Sequence, residues 1–131
     1  MSPQEAAEER AVMRYRQHLY ELETQEDALG RRERREGERL ERQWDLQRSS
    51  RDWIDRYEQL TRGMPGAPAE VTQMLDGWER QQSLLHQRQD EFETEAQRER
   101  RILGDRRDEL EEQFHAELRS ARRQGDGRRS G

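Results

Sequence analysis

One cluster of helix-breaking residues governs what this chain can become. Gly63-Met64-Pro65-Gly66-Ala67-Pro68 holds two glycines and two prolines within six positions, which removes backbone donors and permits non-helical dihedrals, so no continuous helix can cross it. No other strong breaker occurs inside the chain, and long apolar periodicities run away from it on both sides. The first seam places Val12, Leu19, Leu40 and Ile54 at one heptad position and Tyr15, Leu22, Leu29, Tyr57 and Met64 at the other, the pattern of a coiled-coil helix. Polar residues at its remaining seam positions, Glu26, Glu33, Glu36, Gln43, Gln47 and Ser50, predict a loosely held middle. The second seam runs Val71, Trp78, Leu85, Phe92, steps by four to Ala96, and continues through Leu103, Leu110, Phe114 and Leu118; the four-residue step is a stutter that locally unwinds a supercoil.

The two seams mirror each other. Ile54 and Trp78, Leu40 and Phe92, Leu29 and Leu103, and Leu22 and Leu110 are pairwise equidistant from Gly66, and Leu19 with Phe114 and Tyr15 with Leu118 follow with an offset of one residue. Residues that face each other across a hairpin obey this rule, and a disordered chain has no reason to. The expected fold is therefore all-α, a long antiparallel two-helix coiled-coil hairpin: helix 1 over about 4–62, a turn at 63–68, helix 2 over about 69–122, and a flexible tail at 123–131, where no apolar face remains. Pro68 with Glu70 suits the opening of helix 2. Arms of roughly fifty residues would each span about 75 to 80 Å. Gly30, Gly37, Gly77 and Gly104 inside them each cost about 1 kcal/mol relative to alanine, predicting modest stability.

Composition agrees with a narrow seam and little else. Of the 131 residues 28% are hydrophobic and 42% charged, too polar for a compact core. The formal net charge is -5, with acids and bases alternating, so no basic stripe is available to track a phosphate backbone and nucleic acid is not an expected partner. Every basic residue is arginine, which fits a GC-rich bacterial coding sequence. Without cysteine there is no disulfide framework, thiolate nucleophile or thiolate metal site. Apolar runs of two or three residues predict neither a signal segment nor membrane insertion, and hence a cytoplasmic protein.

The residues argue against an enzyme, a cofactor or a metal. His18 and His115 fall near each other in the expected register, and Glu112 with His115 makes one Glu-x-x-His step, but a di-metal helical bundle needs that step twice with two further carboxylates. The many carboxylates have no expected pocket to desolvate them, and Gly63 to Gly66 lacks the lysine of a phosphate loop. The charge runs at Arg31-Arg32-Glu33-Arg34-Arg35-Glu36 and Arg98-Glu99-Arg100-Arg101 read as solvated faces with helix-spaced ion pairs. What stands out is a second apolar stripe, Leu46, Trp53 and Leu60, with Trp44 also off the seam and Met74, Leu75, Trp78 and Leu84 opposite. Large aromatic residues on a charged helix mark interface anchors, giving Leu46, Trp53, Tyr57, Leu60, Trp78 and Leu85 as candidate partner-binding residues. A widened intramolecular seam or pairing of two hairpins into a four-helix bundle would use the same stripe.

From Trp53-Ile-Asp-Arg-Tyr57 through the Gly/Pro turn to Leu75-Asp-Gly-Trp78-Glu-Arg-Gln-Gln-Ser-Leu84-Leu85-His86-Gln-Arg-Gln-Asp-Glu-Phe92, the chain resembles the YscO/FliJ-like stalk proteins of type III secretion, small cytoplasmic coiled-coil hairpins. The resemblance implies a monomer or weak homo-oligomer that bridges the secretion ATPase ring and the export-gate cytoplasmic domain at the inner-membrane face and handles substrate chaperones. The tip-proximal residues Trp53, Tyr57, Trp78 and Leu85 would meet the gate, and the open end the ATPase. The acidic balance and absence of lysine depart from the basic members of that family and bear on the ATPase contact. A helical adaptor or chaperone for a secreted toxin or effector, and a self-assembling structural coiled coil, are the alternative expectations.

Overall fold

The computed structural model describes residues 1–129, with the side chains of residues 128 and 129 outside the description. It consists of two helices, α1 (Pro3–Leu60) and α2 (Ala67–Arg129), packed against each other as the expected antiparallel hairpin. α1 opens on a capping arrangement: the backbone N–H of Glu5 donates to the Ser2 hydroxyl at 3.1 Å, Pro3 occupies the first helical position, and Glu5 lies in the first turn. Serine as cap, proline next and an acid two residues on satisfy an otherwise orphaned donor and complement the helix dipole.

The connection has the expected length but lies two residues earlier, at residues 61–66 in place of 63–68, and glycine geometry explains where it ends. Gly63 and Gly66 have φ of +86° and +80°, a region costly for residues with a Cβ. Ala67 N–H bonds to the Met64 carbonyl at 3.3 Å with Pro65 and Gly66 between them, the signature of a type II turn. The Gly66 carbonyl then accepts from Glu70 N–H at 3.3 Å, so α2 begins at once and Pro68 sits harmlessly in its first turn. Upstream, the Tyr57 carbonyl takes both the Thr61 N–H at 3.0 Å and the Thr61 hydroxyl at 2.8 Å.

The chain divides into two units, residues 1–31 with 97–131, and residues 32–96. In the first, Ala11, Leu22, Leu29 and Ala121 are buried, and Tyr15 stacks on Phe114 with centroids 4.5 Å apart, one turn from the Leu118 expected opposite it. Glu26, predicted to weaken the seam, is held there by Arg107, whose Nη2 reaches both carboxylate oxygens at 2.9 and 3.0 Å; the carboxylate chiefly accounts for a pKa of Arg107 above its ordinary value. Arg14 pairs with Glu117 at 3.1 Å and Arg106 donates to Gln25 at 3.1 Å. The helix also continues to Arg129, where sequence reasoning ended it near 122. Its support comes from the start of α1: Arg122 lies 4.0 Å from Glu8, and the Gln4 side chain rests on Gly125 so closely that a Cβ there would fall 1.7 Å from it. The end of the expected tail, Ser130 and Gly131, lies outside the described residues.

The second unit contains the turn. Ile54, Ala67, Val71 and Leu85 form its buried seam, with Leu40 and Phe92 half-buried. Trp78, expected opposite Ile54, donates its indole N–H to the Gln47 carbonyl at 2.7 Å. Gln47 in turn donates its side-chain amide to the Trp78 carbonyl at 2.7 Å. A half-buried indole N–H needs an acceptor, which an isoleucine side chain lacks and a neighbouring carbonyl supplies.

Candidate partner-binding face

The candidate residues all lie in the second unit, and the structure divides them into two sets. Leu46, Trp53 and Leu60 are 67%, 57% and 71% exposed, and their seven-residue spacing puts them on one flank of α1. Tyr57 joins them: its ring stacks on Trp53 at 5.5 Å and 16°. Trp78 and Leu85 do not belong to this face. Leu85 is 6% exposed, and Trp78 is held across the seam by its bond to Gln47 and covered by the Arg51 guanidinium 5.3 Å from the ring centroid. Both serve the intramolecular seam, so the exposed face is narrower than the sequence suggested and belongs to α1 with an edge of α2.

Trp44 resolves the other way. Its indole donates to Gln89 at 2.9 Å and its ring meets His86 edge-on at 4.7 Å, which makes it a widening of the seam. Two residues along, about 200° around each helix, Leu46 and Leu84 emerge on the opposite flank, level with each other in the register that Trp44 and His86 set. In the same register Trp53 stands level with Gly77, beside which an added Cβ would meet nothing within 4 Å. Leu84, 46% exposed, is therefore a member of the face that sequence reasoning left out of the site; the Leu84-Leu85 doublet, with one leucine on the seam and one beside it, was the available signal.

Tyr57 ties the face to the turn. Its hydroxyl donates to the Glu70 carboxylate, and that hydrogen bond, reinforced by desolvation and by the negative charge itself, raises the phenol pKa above its ordinary value. A raised folded-state pKa means that the tie stabilises the fold below the ordinary phenol pKa of about 10 and is lost as pH rises through the folded-state value. In an ultraviolet absorbance titration, Tyr57→Phe is expected to delete a step lying above the ordinary phenol range, and Glu70→Gln to move that step down. If the step deleted by Tyr57→Phe lay within the ordinary phenol range and Glu70→Gln moved nothing, the bond would be shown not to form in solution.

Among the described residues no group of three or more histidines and carboxylates could hold a metal ion, and no helix is long and apolar enough to cross a membrane. Compared with known protein families, with curated protein sequences and with solved structures, the chain matches none.

Proposed function

We propose that this chain is a non-enzymatic protein-binding hairpin acting as a stalk of a bacterial type III secretion export apparatus, bridging the secretion ATPase and the export gate on the cytoplasmic side. The observation that carries the binding role is Trp53, 57% exposed and stacked on Tyr57 between Leu46 and Leu60. An aromatic side chain left in water on so polar a molecule is a costly placement unless a partner covers it, and tryptophan and tyrosine dominate binding energy at protein interfaces. The choice of partner is supported by the hairpin form together with the resemblance of the Trp53–Phe92 segment to the stalk proteins. With Trp78 and Leu85 committed to the seam, the gate contact is assigned to Leu46, Trp53, Tyr57 and Leu60.

The test is size-exclusion chromatography with light scattering, on the chain alone and mixed with the secretion ATPase or the export-gate cytoplasmic domain of the same genome. The wild type is expected to co-elute with at least one of them. Trp53→Ala should lose the gate complex while its far-ultraviolet circular dichroism stays unchanged. A wild-type chain that joins neither protein would overturn the stalk reading, and a stable one-to-one complex with a secreted toxin would replace it with the adaptor.

A further inference from the structure

We infer that the face formed by Leu46, Trp53 and Leu60 is self-complementary and takes a second copy of this chain, with the two α1 helices antiparallel and Trp53 on the two-fold axis. The inference rests on the proposed function only in using the same face, and it needs no other protein. Its starting point is the order of the stripe, which reads the same in both directions: leucine, tryptophan and leucine at equal intervals. Antiparallel pairing about Trp53 lays Leu46 of each copy against Leu60 of the other and the two indoles against each other. A two-fold interface requires such a patch, since the same surface must supply both halves.

Charge fixes the direction. Asp52 and Arg56 border the stripe on the flank away from the seam, one turn apart on α1. In the antiparallel pair Asp52 of one copy falls beside Arg56 of the other, twice over by symmetry. A parallel pair, whose two-fold axis runs along the helices, would turn the Asp52 and Arg56 flanks of the two copies to opposite sides and make neither contact, so only the antiparallel pair gains this complementarity. Shape agrees. Gly77 puts no side chain level with Trp53, and a Cβ there would meet nothing within 4 Å, so the central, bulkiest pair of rings has room where it needs it. Leu84, 46% exposed on the same side, extends the apolar surface onto α2. Pairing would take Trp53 out of water and occupy the surface proposed for the gate, making self-association and partner binding alternative uses of one face.

Sedimentation equilibrium of the full chain from micromolar to millimolar concentration tests this directly. A reversible dimer is expected, with the dissociation constant raised at least about 30-fold by Trp53→Ser, as for a central interface tryptophan. Asp52→Arg or Arg56→Asp alone should weaken the dimer about threefold to fivefold, and the two together should restore it. Direction is read by oxidative cross-linking, since the chain has no cysteine of its own: Asp52→Cys should link to its own copy, and Arg42→Cys, whose counterpart across the axis is Met64, should not. A chain that stays monomeric throughout, a dimer indifferent to Trp53, or cross-linking through position 42 and not 52 would each overturn the inference. The stalk reading fails separately, by a dimer that forms as described while neither secretion protein binds.

Discussion

Leu85→Asp is expected to unfold the hairpin around the turn, whereas Trp53→Ala leaves it folded. Leu85 is 6% exposed. Truncating a buried leucine costs about 2–5 kcal/mol, and leaving an unpaired carboxylate in its place adds a further desolvation cost. The sum, about 4 kcal/mol or more, is a large share of the 5–15 kcal/mol typical of a whole domain. Trp53 has most of its surface in water already, so its removal in the monomer should change stability by less than about 1 kcal/mol. Thermal melts followed by circular dichroism, at concentrations dilute enough to keep the chain monomeric, separate the two. If Trp53→Ala lowered the melting temperature as far as Leu85→Asp, the division between seam and exposed face would be wrong.

Replacing Gly30, Gly37 and Gly104 together by alanine should raise the melting temperature by about 10 °C. Each lies inside a helix, and a Cβ at any of them would meet nothing within 4 Å. Alanine therefore adds helix propensity without a clash, about 0.8–1 kcal/mol per site. The three positions are far apart in sequence and their gains should add, and for a chain of this length about 1 kcal/mol corresponds to roughly 3–4 °C. Gly63 and Gly66 behave in the opposite sense. Their positive φ values make alanine destabilising there by about 1–2 kcal/mol each. The same melts carried out on Gly63→Ala and Gly66→Ala should fall as the triple variant rises, and a triple variant that melted no higher than the wild type would mean that helix propensity does not limit this fold.

The hairpin was legible because its determinants are local: a breaker rich in glycine and proline, and heptad seams that mirror each other about it. The helix ends were less so. Ser2, Pro3 and Glu5 spell a start that can be read directly, but residues 123–129 have no apolar face, and what sustains α2 there is the company of Gln4 and Glu8 from the far end of the sequence. Contacts made by single polar side chains, unlike those of a repeating apolar seam, leave no periodic trace. The binding face shows the same division. The stripe of Leu46, Trp53 and Leu60 could be read from spacing alone, whereas Trp44 and Trp53, both off the seam, could not be told apart. A flank is covered only where the other helix supplies a side chain at the same level. Trp44 meets His86 and Gln89, whereas the position level with Trp53 is Gly77, which has no side chain to offer.

The reciprocal bonds between Gln47 and Trp78 make the joint tolerant in one way and strict in another. Each side chain reaches a main-chain carbonyl of the opposite helix, and any residue offers a carbonyl. Neither bond depends on what the other residue's side chain is, so drift at one position spares the bond made by its counterpart. Sliding the helices past each other by one turn would move both carbonyls out of reach together. The alignment of the two arms near the turn is thus recorded twice, in a form that mutation can erase only one copy at a time and mechanical displacement must erase all at once.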